Sequence, residues 1–286
     1  MPLPPLPELD GVAHHYEAVN GIKLHYAEAG RGEPLLLQHG WPQHWWMWRD
    51  LIAPLAERFR VIVPDLRGHG WSDKPERGYR KGELLDDLLA LLDRLEIDRV
   101  RWVGHDWGAY IGMLAGLRAP ERIERLVAMS IPHPWQDAGR DPRLLLNSTY
   151  QLVLGGPLGR LAMQRLNFSR LIFRRARETG LYSDAELDLY ESIQREPDTA
   201  RATVQLYRSF LLHELRPFAG GLSGARLRVP TLWLVGGEDP LARDAESGSW
   251  REHADDMTVE CIPGAGHFLP EELPETVLKR ILAFLP

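Results

Sequence analysis

The sequence predicts an α/β protein with a mostly parallel sheet, helices on both of its faces and an inserted helical cap. Three observations point there. Short apolar runs alternate with amphipathic helical patterns, a hairpin signal precedes them, and the alternation breaks off in mid-chain for a long helical stretch.

Val12 to Ala27 alternates around Asn20-Gly21, the dipeptide favoured in a tight hairpin turn. The later runs Pro34–Gln38, Arg60–Val63, Val100–Gly104, Leu126–Ser130, Thr231–Val235 and Met257–Ile262 are short and apolar, as in strands covered on both faces. Leu84, Leu85, Leu88, Leu89, Leu92 and Leu95 recur at helical spacing and predict an amphipathic helix. From about Pro134 to Phe218 the chain is rich in Leu, Arg and Gln, and Gly155-Gly156-Pro157 and Gly159 break it into pieces. Helices inserted there would cover the C-terminal edge of the strands, where open α/β sheets bind ligands. The expected division is a core of residues 1–133 and 219–286 carrying a cap of residues 134–218.

The chain has 286 residues, with 34 Lys+Arg against 40 Asp+Glu and a formal net charge of −6. Dispersed basic residues in a mildly acidic chain give no electrostatic reason to bind nucleic acid or anionic lipid. Cys261 is the only cysteine, which excludes an intrachain disulfide and a thiolate metal cluster. Lying in an apolar strand pattern, it is expected to be a buried, inert thiol. The 11 histidines show no His-Glu-x-x-His spacing, and the glycines from Gly104 onward lack the Lys-Ser/Thr of a phosphate loop, so neither metal nor cofactor is expected. No apolar stretch reaches the ~18 residues of a membrane span. The first residues lack a basic n-region before an apolar run. A cytoplasmic location is therefore expected, and a homodimer is left open.

Val103-Gly104-His105-Asp106-Trp107-Gly108-Ala109 runs from an apolar strand through Gly-x-Asp-x-Gly into a helical pattern. Such a sharp turn is crowded, hence the glycines, and it presents its central side chain at the top of the sheet beside a helix N-terminus. Alone, the pattern reads equally well as an ordinary turn whose Asp caps the helix. Other strand ends change that balance. Gln38-His39-Gly40-Trp41-Pro42 offers a second backbone N–H, from Trp41; Gly236-Gly237-Glu238-Asp239-Pro240 brings a carboxylate; Pro263-Gly264-Ala265-Gly266-His267 brings a histidine. Nucleophile, acid and histidine in that order, each just past a strand, favour catalysis.

His39-Gly40-Trp41-Pro42, Asp65-Leu66-Arg67-Gly68-His69-Gly70-Trp71-Ser72-Asp73 and Gly104-His105-Asp106-Trp107-Gly108 resemble motifs of the α/β-hydrolase superfamily, in particular its epoxide hydrolase and haloalkane dehalogenase branch. The resemblance spans nearly the whole chain and implies the α/β-hydrolase fold. It also implies Asp239, rather than Glu238, as the acid that orients His267. A carboxylate nucleophile is ionised at neutral pH and suits attack on a saturated carbon bearing a leaving group. His267 would then activate the water that hydrolyses the resulting ester, with the Trp41 and Trp107 N–H groups as oxyanion hole.

Opening an epoxide generates an alkoxide and needs a proton donor, whereas a halide needs only N–H donors. Tyr150-Gln151-Leu152 and Tyr207-Arg208 look like the two cap tyrosine motifs of epoxide hydrolases, while Tyr182 and Tyr190 compete for the role without that context. Trp41 stands where many haloalkane dehalogenases place an asparagine, and no tryptophan lies between Gln136 and Phe218 to join Trp107 as a halide ligand. Trp135 is the only nearby substitute. Trp107 and Tyr110 occupy the positions where fluoroacetate dehalogenases carry arginines for a substrate carboxylate. The sequence thus reads as an epoxide hydrolase acting with water on a neutral hydrophobic epoxide, Trp41 and Trp107 lining its pocket. Haloalkane dehalogenation by the same triad is the alternative. Hydrolysis of another strained ring or activated ester, and a noncatalytic ligand-binding role, remain open.

Overall fold

A computed structural model describes residues 2–135, 149–174, 180–215, 222, 224–239, 245 and 248–285. The alternating residues around Asn20-Gly21 form β1 (Ala13–Val19) and β2 (Ile22–Ala29), with positive φ at both turn residues. The apolar runs form β3 (Glu33–Gln38), β4 (Phe59–Pro64), β5 (Val100–His105), β6 (Ile123–Met129), β7 (Thr231–Gly236) and β8 (Met257–Ile262). All eight make one sheet in the order β1-β2-β4-β3-β5-β6-β7-β8. β2 pairs antiparallel with β1 and β4; the remaining pairs are parallel. From β3 the chain steps to β4 on one side and then to β5 on the other, so the crevice between β3 and β5 is where a ligand site belongs.

Side-chain alternation explains why these strands are apolar throughout. Leu36, Ile62 and Trp102 enter one buried cluster, whereas their neighbours Leu35, Leu37, Val61, Val63 and Val103 enter another. The first cluster includes residues of α2 (Lys81–Arg94) and α3 (Trp107–Arg118); the second includes residues of α1 (Arg49–Ala56). In α2 the buried positions are led by Leu84, Leu85, Leu88, Leu91 and Leu92. Each fully buried leucine contributes roughly 1.5–3 kcal/mol, so this stripe outweighs helix propensity in fixing α2.

One expectation fails at the sheet's end. Cys261 is exposed, not buried, because β8 has only β7 beside it and is incompletely covered. Met257 and Val259 share its face by strand alternation and pack partly against the core, but that cover does not reach Cys261 near the strand's end.

Between β6 and β7 the named elements are all helical: α4 (Thr149–Gly155), α5 (Gly159–Gln164), α6 (Phe168–Ile172), α7 (Asp184–Arg195), α8 (Pro197–Ser209) and a π-helical turn, Phe210–Glu214. The break falls at the expected glycines, and a Cβ on Gly159 would lie 2.0 Å from the Leu154 carbonyl oxygen. Ser183 and Glu186 form a capping box that starts α7. Pro197 occupies the first turn of α8. The expected cap boundary near residues 218 and 219 lies outside the described residues. After β8 come α9 (Leu269–Glu272) and α10 (Pro274–Phe284).

Candidate active site

β5 is buried along its whole length and delivers Asp106 to its C-terminal end. There φ is 51° and ψ −125°, a conformation that an L-residue enters at a cost of about 1–3 kcal/mol. The flanking glycines make this turn possible. A Cβ on Gly104 would lie 2.5 Å from the Gly108 carbonyl oxygen, and one on Gly108 only 2.2 Å from that of Gln38. The backbone N–H groups of Trp107 and Trp41 face the Asp106 carboxylate, the latter donating to Oδ1 at 2.9 Å. Burial pushes its pKa up, against the opposing pull of His267 and these two donors.

The loop carrying Trp41 is fixed from both sides. On the core side His39 Nδ1 donates to the Gly40 carbonyl at 2.9 Å, which leaves Nε2 to accept from Leu66 N at 3.0 Å. Burial lowers the His39 pKa, in keeping with this neutral tautomer. Next to it Asp65 accepts from His25 Nδ1 at 2.7 Å, Trp45 N at 2.8 Å and Trp71 N at 2.9 Å. On the helical side Gln194 Nε2 donates to the Pro42 carbonyl at 2.8 Å, and Trp41 Nε1 to Thr203 Oγ1 at 3.3 Å. The Trp41–Pro42 peptide is cis.

His267 Nδ1 meets Asp239 Oδ2 at 3.0 Å, while its Nε2 lies 3.8 Å from Asp106 Oδ2. Asp239 is buried and Glu238 exposed, so of the adjacent acids it is Asp239 that reaches the ring. Burial opposes the charged imidazole, but Asp239, Asp106 and Glu272 together raise its pKa to about 9. Behind it, His105 Nε2 donates to the His267 carbonyl at 2.7 Å; burial holds His105 neutral, with a pKa down to about 3.

Tyr150 and Tyr207 face this group from α4 and α8, their rings meeting edge-on at 5.7 Å between centroids. The Trp41 indole stacks on Tyr150 at 6.1 Å between centroids and meets Tyr207 edge-on at 5.3 Å. Trp107 meets Tyr207 at 6.2 Å and Phe210 at 5.0 Å, so aromatic faces surround the carboxylate. Burial, with the charge of Asp106, pushes Tyr150 up to about 12. Tyr207 is raised too, by burial first and then by Tyr150 and Asp106. The rival tyrosines go elsewhere: Tyr182 and Tyr190 both donate to the buried carboxylate of Glu271. Trp135 donates its indole N–H to the Ala225 carbonyl at 2.9 Å.

Gln194, Thr203, His105 and Glu272 escaped sequence reasoning. A Gln or Thr on a helix carries no local mark of its partner, which here is another element's backbone or indole. Glu272 had a faint one, since acids cluster in first helical turns.

Residues 33–274 match the α/β hydrolase fold family. The chain belongs to the α/β-hydrolase family. Within that family it is 31% identical to the soluble epoxide hydrolase of a Corynebacterium species, over 96% of this chain and 97% of the relative. It is likewise 31% identical to the cis-3-alkyl-4-alkyloxetan-2-one decarboxylase of Shewanella oneidensis, over 95% of this chain and 87% of the relative. Among solved family structures, the epoxide hydrolase CorEH without ligand superposes with a TM-score of 0.83 and 30% identity, covering 96% of this chain and 98% of that one. Among the described residues no helix is long and apolar enough to cross a membrane, and no group of three or more His, Cys, Asp or Glu could hold a metal ion.

Proposed function

We propose that this protein hydrolyses neutral hydrophobic epoxides to vicinal diols through an ester to Asp106. The observation that carries the reading is the division of labour between the two carboxylate oxygens. Oδ1 is held by the Trp41 N–H, and Oδ2 is left on the side of His267. Oδ2 attacks an epoxide carbon, the C–O bond breaks, and the departing alkoxide takes a proton from Tyr207 or Tyr150. A phenol, with a pKa of about 10 in water, is a far stronger acid than an aliphatic alcohol, which is why a tyrosine suits this role. A water molecule then gives its proton to His267 Nε2 and attacks the ester carbonyl carbon. Trp41 and Trp107 stabilise the oxyanion on Oδ1. Collapse breaks the Cγ–Oδ2 bond, the second proton of the attacking water passes to Oδ2, and the diol leaves with that oxygen. The proton on His267 returns to the tyrosinate, and Asp106 is a carboxylate again.

The helical segment between β6 and β7 acts in this reading as the cap that supplies the proton donors and excludes water. Aromatic walls around the carboxylate favour an uncharged, apolar substrate. Dehalogenation is less well supported, because the Trp135 N–H is already occupied by Ala225. The Shewanella relative named for an oxetan-2-one keeps a second strained ring in view.

The test is an intact-mass spectrum of His267→Gln mixed separately with styrene oxide, 1-bromohexane and a cis-3,4-dialkyloxetan-2-one. Blocked hydrolysis should leave an adduct equal to the whole epoxide on Asp106, formed more slowly when Tyr207→Phe is added. A hexyl adduct alone would make the protein a dehalogenase. Reaction with the lactone alone would move it to the second ring.

A further inference from the structure

His267 stands in a short connection whose shape one acidic side chain controls. The residues on either side of it both donate to Glu272: Gly266 N to Oε2 at 2.5 Å and Phe268 N to Oε1 at 2.8 Å. The carboxylate thus grips the backbone on both sides of the histidine while the ring stays free for Asp239 and the pocket. Glu272 sits on α9, a single turn that would be a poor anchor unless it were fixed itself. It is fixed through the preceding residue. Glu271 is buried and accepts from Tyr190 Oη at 2.9 Å, from Tyr182 Oη, and from Arg49 Nη1 and Gln43 Nε2. Gln43 follows the loop that carries the Trp41 N–H, and its own N–H bonds Gly40 O at 3.1 Å. Tyr182 and Tyr190 belong to the helical segment.

We propose that Glu272 is a positioning residue for ester hydrolysis, setting His267 Nε2 at its distance from Asp106 through the Gly266 and Phe268 N–H groups. This rests on the two-step reading of the site. Glu272 touches no reacting atom. Its importance follows from the 3.8 Å between Nε2 and Asp106 Oδ2, a gap that must seat the base against a water rather than against the carboxylate. A 1 Å misplacement of such a base costs on the order of 100-fold in rate. Ester formation needs Asp106 and the tyrosines but not His267 as a base, so a defect in placing His267 falls on one half-reaction only. Glu271 extends the device by tying the same turn to the oxyanion loop and to the helices over it.

The experiment is a single-turnover measurement of both half-reactions with styrene oxide, for wild type, Glu272→Gln and Glu272→Asp. Glu272→Gln keeps one acceptor and loses the other together with the charge. It is expected to form ester at nearly the wild-type rate and to hydrolyse it about 10- to 100-fold more slowly, so that the ester builds up in turnover. Glu272→Asp should recover part of the loss. Equal slowing of both steps, or unimpaired hydrolysis, would overturn the proposal. A second readout does not depend on turnover: the His267 titration followed by NMR. The charged groups facing that ring are Asp239, Asp106 and Glu272, with neutral His105 at 5.1 Å. Loss of the Glu272 charge should move the titration below about 9, and an unmoved titration counts against the proposal. If His267→Gln in the parent enzyme traps no ester, the two-step reading fails on its own, and the titration still decides whether Glu272 acts on His267.

Discussion

Asp106 and His267 form a charge pair whose balance changes as the reaction proceeds. In the resting protein the imidazole is charged up to about pH 9, because Asp239 and Asp106 outweigh the effect of burial. An imidazolium cannot accept a proton. Esterification of Asp106 removes one of the three carboxylates that support the charge, so the ring's pKa falls and the base appears when it is needed. The sign follows directly: hydrolysis of the ester should speed up with rising pH and level off below pH 9. Single-turnover rates of ester decay across pH 5–10 check this, and an inflection at or above about 9 would contradict it. Legibility at this scale was uneven. Asp106, His267 and an acid at 238 or 239 stand out in sequence because turns just past strand ends need glycines and leave a visible signature, while the choice of Asp239 over Glu238 came from resemblance. Tyr150 and Tyr207 could be singled out only by resemblance, since helical spacing does not distinguish them from Tyr182 and Tyr190; a glutamate elsewhere in the fold draws that second pair away.

The turn after β4 shows how an element positions a site it never enters. Asp65 closes the turn by accepting from Trp45, Trp71 and His25, and Gly70 approaches so near that a Cβ there would lie 2.1 Å from Asp65 Oδ2. Burial disfavours its charge, but His25 and the other histidines around it hold its pKa below the usual carboxylate range. A depressed carboxyl stabilises the fold above its unfolded pKa of about 3.9 and loses that contribution as the pH falls below it. Asp65→Asn should therefore cost about 3–5 kcal/mol at pH 7, read from urea unfolding, with the difference shrinking in acid. The sequence motif marked this turn through its glycines but said nothing of its histidine partners, which come from β2 and from the end of β3. Strand alternation was easier to read. It failed at β8, because position at the end of a sheet is a property of the order of strands and not of any one strand's residues.

Over the whole molecule, the helical segment and the sheet are joined by buried polar contacts as well as by aromatic packing. Gln194 bonds Pro42, Lys81 reaches Glu214 at 3.2 Å, Arg49 reaches Glu186 at 2.7 Å, and Glu271 takes both tyrosine hydroxyls. Separating the two parts would leave these groups without partners, and each orphaned group costs about 1–3 kcal/mol. They should consequently unfold together. Thermal transitions followed by tryptophan fluorescence and by far-ultraviolet circular dichroism are expected to coincide; a separate early loss of helix would show that the segment is held only weakly. The order of elements was legible in the sequence, but none of these contacts was, since each joins residues far apart in the chain. The outward position of Cys261 has a practical consequence. It is the chain's sole thiol, and it is open to reagents on the last strand of the sheet, ahead of the turn that carries His267. A maleimide dye or a nitroxide would attach there at a single place without mutagenesis, giving an optical or magnetic reporter for ligand-induced movement in the unaltered protein.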